Sequence, residues 1–325
     1  MNYDYLSNTS MKKLLVILGP TATGKTDLAI KLAKKFNGEL VSADSRQVYK
    51  KLDIGTGKLP GKFKSLKKEK KKWVIDGVSV YMYDMISPDK QYTVANYVKD
   101  ANQAVEDVIK RGKLPIIVGG SGLYIRALVD GLSNLNIPFD KKLRKELEKL
   151  DRLSLQEKLK LTSFKKWATM NYSDRQNPRR LIRAIELASV KVEIRKTKKY
   201  NVFKIGLNAS REILYQRADE RVVSRINQGM IEEVRSLRAR GLTLKRLQQL
   251  GLEYGVLAEY LKGKIKTEKD LIRILQFRIH DYIRRQLTWF KKEKNVQWFD
   301  IEKKIYIEVE KLARQWYHSN DGSQN

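Results

Sequence analysis

The chain contains no cysteine and only two histidines, His280 and His318, among 325 residues. Without thiols there is no disulfide framework and no thiolate metal site, and two isolated imidazoles cannot complete a histidine-based one. Any functional metal is therefore expected to be a hard, oxygen-bound ion such as Mg²⁺. Acidic residues are scarce as well: 37 Asp and Glu stand against 67 Lys and Arg, a formal net charge of +30. That excess goes far beyond what solubility needs and points to a polyanionic partner. A lysine-rich surface with no partner would carry the same charge, and the run Lys67 to Lys72, interrupted only by Glu69, reads equally well as a solvated loop. No apolar run approaches the ~20 residues of a membrane-spanning helix, and Met1 to Ser10 lacks the apolar segment of a secretion signal. The expectation is a cytoplasmic protein with no membrane partner.

What is present is an ordinary apolar content of 42%, enough for one large α/β domain or two modest ones. Leu14 to Leu18 is a short, partly β-branched apolar run that stops at Gly19-Pro20, as a buried strand ending in a turn does. From Thr26 the apolar positions Leu28, Ala29, Leu32, Ala33 and Phe36 repeat at helical spacing, and Asn37-Gly38 ends them. Glu39 to Ser42, Leu114 to Val118 and Val202 to Leu207 read as further strands, and helical stretches between them imply right-handed crossovers and a mostly parallel sheet. Between Gly131 and Tyr200 strand signals thin out, and Lys141 to Lys160 is charged with leucines at helical spacing, as in a helical insertion. Ile213 to Arg240 and Asp270 to Lys292 are amphipathic and Arg-rich, as helices covering a sheet are.

Gly19-Pro20-Thr21-Ala22-Thr23-Gly24-Lys25-Thr26 fits G-x-x-x-x-G-K-[ST] and lies between a strand and a helix, as a phosphate-binding loop (P-loop) requires. Its backbone N–H groups and the helix N-terminus would cradle a diphosphate or nucleotide, Lys25 would neutralise phosphate charge, and Thr26 would reach Mg²⁺. A nucleotide hydrolase or kinase typically ends a second strand in an Mg²⁺-binding Asp. Here Leu114 to Val118 runs instead into Gly119-Gly120-Ser121-Gly122, either a simple turn or a close approach for backbone or substrate, with the Ser121 hydroxyl offered as a donor. Glu39 to Ser42 delivers Asp44 to the edge where open parallel sheets bind ligands. Asp44 is either a general base there or the N-cap of a following helix, and spacing alone does not separate the two. The fold class expected is α/β, a P-loop NTPase-like core with a mostly parallel sheet and a helical insertion domain. Residues 11–132 would form the first part of the catalytic core, 133–200 the insertion, 201–318 the rest of the core with its Arg-rich helices, and 319–325 a tail.

Seven segments in order resemble the tRNA dimethylallyltransferases, also called isopentenyl-diphosphate:tRNA transferases, of the bacterial type without a C-terminal zinc finger. They are Gly19 to Thr26, Asp44 to Tyr49, Asp53 to Lys58, Gly119 to Ile125, Asn177 to Glu186, Arg217 with Arg221, and Arg285 to Phe290. The resemblance runs from about Leu14 to about Phe299. It implies dimethylallyl diphosphate in the loop and tRNA as partner, with the adenosine next to the anticodon flipped in and alkylated at N6. Asp44 would take the N6 proton; Lys25, Arg217, Arg221 and Mg²⁺ would hold the leaving group, with Ser121 at the site. Ser45, Arg46, Gln47 and Ser121 would contact the base, and Arg144, Gln176, Asn177, Pro178, Arg179 and Arg180 the RNA.

Some positions depart from the family pattern: Ser121 replaces the usual Thr, Val80 to Asp84 follows a longer Lys-rich segment, and Ile279-His280-Asp281 stands where Thr-Arg is common. Competing readings are a transferase acting on free adenine nucleotides, a small-molecule kinase, and a non-catalytic RNA-binding protein. The charge and the insertion argue against the first, the Gly119 to Gly122 turn against the second, and intact Lys25, Thr26 and Asp44 against the third. One site serving one tRNA needs no symmetry, so a monomer is expected.

Overall fold

A computed structural model of the chain describes residues 11–59, 61, 63–132, 134, 135, 137, 140–188 and 200–319. The apolar run folds as strand β1 (Lys13–Leu18), in which Leu14 to Leu18 are wholly buried. A strand apolar on both faces belongs at the centre of a parallel sheet covered by helices. In chain order follow helix α1 (Lys25–Lys35), β2 (Gly38–Ser42), β3 (Leu66–Glu69), β4 (Lys72–Ile75), β5 (Val78–Tyr81), α2 (Val94–Lys110), β6 (Leu114–Gly119) and α3 (Gly122–Val129). Then come α4 (Lys141–Leu147), α5 (Arg152–Thr162), α6 (Phe164–Ala168), α7 (Tyr172–Arg175) and α8 (Pro178–Ala188). The chain closes with β7 (Asn201–Asn208), α9 (Arg211–Asn227), α10 (Met230–Ala239), α11 (Leu244–Leu250), α12 (Leu252–Leu261), α13 (Glu268–Phe290), β8 (Val296–Asp300) and α14 (Tyr306–His318).

The chain divides into two compact units, one formed by residues 1–129 and 198–325 and the other by residues 130–197. The first holds an eight-stranded sheet in the order β3-β4-β5-β2-β6-β1-β7-β8, parallel from β5 to β8 and antiparallel through β3, β4 and β5. This is the expected P-loop NTPase-like α/β class. Period-two alternation sorts the strand residues: Leu15, Ile17, Leu40 and Ile116 pack with α1 and α14, while Leu14, Val16, Leu18, Val41 and Ile117 pack with α2 and α3. A third core joins Val48, Tyr49 and Leu52 to α9 through α13. The second unit has its own small core of Leu147, Leu155, Leu159, Leu181, Ile182, Ala184 and Ile185.

The four strands expected from sequence are present. Four more were not expected: β8, and β3 to β5, which occupy the Lys-rich stretch and its sequel, turning at Asp76-Gly77 with both residues at positive φ, 50° and 81°. The stretch Ile213 to Arg240 is two helices, because Gly229 at φ 94° ends α9 and starts α10. The expected tail, Ser319 excepted, and the part of the expected insertion from 189 to 199 lie outside the described residues. Among the described residues no helix is long and apolar enough to cross a membrane.

Candidate active site

The loop after β1 owes its shape to two close approaches and two left-handed residues. A Cβ on Gly19 would lie 2.2 Å from the carbonyl oxygen of Leu207, so only glycine lets the loop leave β1 beside the end of β7. Ala22 and Gly24 take φ 68° and 75°, the kind of backbone that forms a concave nest of N–H groups before a helix. Thr23 Oγ1 donates to the Pro20 carbonyl at 2.9 Å, and Lys25 Nζ folds back to the same oxygen at 2.5 Å. Burial, with the Arg221 guanidinium adding to it, pushes the Lys25 ammonium down to about 7 against the opposing pull of Asp44. A lysine this close to losing its charge favours an anion that restores it.

Because β1, β2 and β6 are parallel, their carboxyl ends reach one sheet edge, and Gly19, Asp44 and Ser121 all follow those ends. The Ala43 amide donates to the Val118 carbonyl at 2.8 Å and the Ser121 amide to the Ala43 carbonyl at 3.1 Å, while Ser121 Oγ accepts from Ser45 N–H at 3.0 Å. Asp44 therefore sits between two backbone groups held by Ser121. Its Oδ1 accepts from the amides of Arg46 at 2.8 Å and Gln47 at 3.4 Å, capping a turn rather than a helix. Among the described residues no hydrogen bond reaches its Oδ2. Burial, with the Asp44 carboxylate contributing, pushes the phenols of Tyr83, Tyr97, Tyr124 and Tyr282 up, so neutral tyrosines surround it.

The glycines at the end of β6 and just beyond it serve packing. A Cβ on Gly119 would meet the Ala43 carbonyl at 2.2 Å, on Gly120 the Gln286 Nε2 at 2.4 Å, and on Gly122 the Trp289 ring at 2.1 Å. Gln286 and Trp289 belong to the Arg285 to Phe290 motif, which sequence reading left without a role.

Arg221 lies on α9, with Arg217 exposed one turn earlier and Arg225 half-buried one turn later. The Arg225 charge first, then burial, pushes Arg221 down to about 10, with Glu253 and Asp27 opposing. Arg225 donates to the Gly55 carbonyl at 3.0 Å and to Glu253 at 3.1 Å. Both guanidinium groups crowd Gly57, whose Cβ would lie 2.1 Å from Arg225 and 2.9 Å from Arg221. The segment Asp53 to Lys58 is thus the floor under the arginines. Glu233 holds it by accepting from the amides of Asp53, Ile54 and Gly55 at 2.8, 2.8 and 3.2 Å. Lys58, fully buried, donates to Asp53 at 2.7 Å, Asp84 at 2.6 Å and the Tyr49 carbonyl at 2.7 Å. Sequence reasoning missed Arg225, Glu253 and Glu233; the 217, 221, 225 spacing along one helix face was the available signal for the first.

Gln47, expected at the base, uses its side chain internally: Oε1 accepts from Ser42 at 2.7 Å and Nε2 donates to the Thr56 and Gly57 carbonyls at 3.3 Å. Ser45 and Arg46 are half-buried, and a Cβ on Gly251 would come 3.4 Å from the Arg46 guanidinium. In the second unit Asn177 caps α8 by accepting from the amides of Arg179 and Arg180, with Pro178 at the first helical position, where its missing N–H costs nothing. Arg179 and Arg180 are exposed, Arg180 pairing with Asp174; Gln176 ends α7 and is half-buried. Arg144 grips buried Glu186 with both Nε and Nη2 at 2.7 Å, binding α4 to α8.

Thr26 is half-buried in the first turn of α1, and among the described residues its hydroxyl makes no hydrogen bond. No group of three or more His, Cys, Asp or Glu that could hold a metal occurs among the described residues. This donor set fits an Mg²⁺ that keeps its waters and a phosphate ligand and takes one or two protein oxygens.

A glycine loop on the central strand of a parallel sheet, facing a carboxylate and an arginine pair, defines the P-loop class of phosphate-handling enzymes. Within that class, residues 47–293 match the family profile described as IPP transferase, and the chain belongs to that family. It is 37% identical over 318 residues to the tRNA dimethylallyltransferase of Halothermothrix orenii, covering 93% of this chain and 92% of that one. With the tRNA dimethylallyltransferase 2 of Treponema denticola the identity is 40% over 305 residues, covering 91% and 97%. The solved full-length tRNA isopentenylpyrophosphate transferase from Bacillus halodurans matches with a TM-score of 0.69 at 33% identity, covering 94% and 96%. The fold is also that of a eukaryotic dimethylallyltransferase acting on tRNA, with a TM-score of 0.78 at 23% identity, covering 97% and 81%.

Proposed function

We propose that this chain transfers a dimethylallyl group from dimethylallyl diphosphate to N6 of the adenosine next to the anticodon of tRNA, giving N6-isopentenyladenosine and diphosphate. The observation that carries the reading is geometric: the phosphate loop and Asp44 follow the carboxyl ends of β1 and β2, parallel strands with only β6 between them in the sheet. A leaving group that departs as an anion and a nucleophile that must lose a proton are then served at one place. The N6 lone pair forms the bond to the allylic carbon, the C–O bond breaks, and its electrons leave with the diphosphate. The N6 proton passes to Asp44, whose Oδ1 is fixed by the turn amides while Oδ2 remains available.

An exocyclic adenine amine is a weak nucleophile, so most of the acceleration must come from stabilising the departing diphosphate. The loop from Gly19 to Thr26, Lys25 and Arg221 do this, with Arg217 on the same face of α9. Mg²⁺ bound at Thr26 would add charge neutralisation on the diphosphate oxygens. Ser121 holds the backbone on either side of Asp44, Ser45 and Arg46 face the incoming base, and Gln47 fixes the turn they stand on. Exposed Arg179 and Arg180, on the helix that Asn177 caps, meet the RNA beside Gln176 and Pro178; Arg144 shapes that surface through Glu186. Relatives named for tRNA over nine-tenths of the chain support RNA rather than a free nucleotide as acceptor. One site serving one tRNA needs no symmetry, so the proposal is a monomer, working in the cytoplasm with its tRNA partner.

The test is incubation of the purified protein with Mg²⁺ and radiolabelled dimethylallyl diphosphate, in parallel with unmodified tRNA and with AMP. Label on N6 of a tRNA adenosine is expected. Label on AMP alone would transfer the reading to the free-nucleotide enzymes, and label on neither would remove it.

A further inference from the structure

The phosphate loop and the Asp44 turn follow different strands, β1 and β2, and are separated along the sheet by β6. Transfer requires them to be held in fixed relation, since a displacement of about 1 Å can cost about a hundredfold in rate. A single side chain from the far end of the sequence spans the gap. Gln286, on α13 and 5% exposed, accepts the Thr21 amide on Oε1 at 2.9 Å and donates from Nε2 to the Gly120 carbonyl at 2.9 Å. Gly120 is followed by Ser121, whose amide holds the Ala43 carbonyl and whose hydroxyl accepts the Ser45 amide. The path from loop to base is therefore Thr21, Gln286, Gly120, Ser121 and the two neighbours of Asp44.

We infer that Gln286 is a positioning residue for the transfer, setting the distance between the diphosphate loop and the Asp44 carboxylate. The inference rests on the reading of function given above and adds to it a residue that touches neither substrate. Three features make the amide specific. A carboxamide offers an acceptor and a donor on one planar group, which the Thr21 N–H and the Gly120 C=O require together. A carboxylate at this position would accept from Thr21 but repel the Gly120 oxygen, and a methylene chain would leave two nearly buried backbone groups unpaired. Gly120 has no room for a side chain because Nε2 already occupies the place of its Cβ. The contact also accounts for one loop amide: the N–H of Thr21 is turned to Gln286, leaving phosphate to the amides nearer the helix.

The test compares Gln286→Met and Gly120→Ala, which break the same link from opposite sides, with their double variant. We expect each single change to lower kcat by about 10- to 100-fold, with tRNA Kd unchanged within about twofold. The double variant should be no slower than the worse single one, because one link is lost only once. Inorganic diphosphate binding, read by calorimetry, should weaken by about tenfold in Gln286→Met. Wild-type kcat in both singles, multiplicative losses in the double, or unchanged diphosphate affinity would overturn the inference. If either single variant fails to fold, the other carries the kcat test. Should the wild-type protein itself transfer no label to tRNA, the function reading fails while the diphosphate measurement still decides on Gln286.

Discussion

The Ser121 hydroxyl accepts the backbone N–H of Ser45 at 3.0 Å, joining the end of β6 to the turn that carries Asp44. Replacing that acceptor leaves a half-buried amide unpaired, worth about 1 to 1.5 kcal/mol. Ser121→Ala is expected to lower kcat/KM for dimethylallyl transfer by about tenfold, and Ser121→Thr, which keeps the hydroxyl, to retain it. Equal activity in all three proteins would take the hydroxyl out of the site.

Asp44→Asn retains an oxygen that can accept from the Arg46 and Gln47 amides, so the turn should survive. What disappears is the base. The single-turnover rate should fall by about 10² to 10⁴-fold while tRNA binding stays near its original value. Near-normal turnover would remove Asp44 as proton acceptor.

Lys25 gives diphosphate binding a pH dependence of definite sign. Its folded value of about 7 lies far below the ordinary lysine value of 10.5, so above pH 7 the free enzyme holds it increasingly uncharged. An anion beside it raises that value, and binding must take up a proton. Diphosphate Kd should therefore rise with pH above about 7, by up to about tenfold per unit, and stay flat in this respect below it. Lys25→Met should bind weakly at every pH and lose the proton uptake, which calorimetry in buffers of different ionisation enthalpy measures. The same depression makes the unfolded chain the better proton binder between 7 and 10.5, so this group's contribution to ligand-free stability increases with pH across that window.

Lys58 lies at 0% exposure between Asp53 and Asp84. Burial works to raise Asp53, and the nearby Lys58 and Lys68 ammonium groups outweigh it and hold the carboxyl below the usual range. Lys58→Met would leave Asp53 with Lys68 alone and Asp84 with only the Trp73 indole N–H, and the expected loss is about 3 kcal/mol, seen as a lower urea midpoint at unchanged slope. A loss under about 1 kcal/mol would mean that water screens the pair.

The part of the site that was legible in the sequence is the part made by neighbours in sequence. The loop from Gly19 to Thr26 declares itself because phosphate binding needs glycines, Lys and Thr within eight positions. Asp44 and Ser121 could be placed because buried apolar runs precede them and a parallel sheet brings the ends of those runs to one edge. Contacts between distant segments left no such trace. Arg225 meets Glu253 across 28 positions and Thr21 meets Gln286 across 265. Arg144 meets Glu186 across 42 positions, a pairing that no local pattern marks. Strands β3 to β5 escaped because they are four residues each and the first of them is half lysine, and only the Asp76-Gly77 turn advertised a hairpin.

That lysine-rich hairpin bears on how the molecule behaves in a crowd. β3 is the outermost strand of the sheet, bonded on one side only, and such a rim is a template on which another chain's strand can grow. Lys67 and Lys68 stand exposed on it, with Lys64, Lys70 and Lys71 at its ends. A second copy approaching edge to edge would have to bury these charges against its own. The basic excess that looks, in composition, like affinity for a polyanion therefore also works, at this rim, to keep the sheet from polymerising with itself.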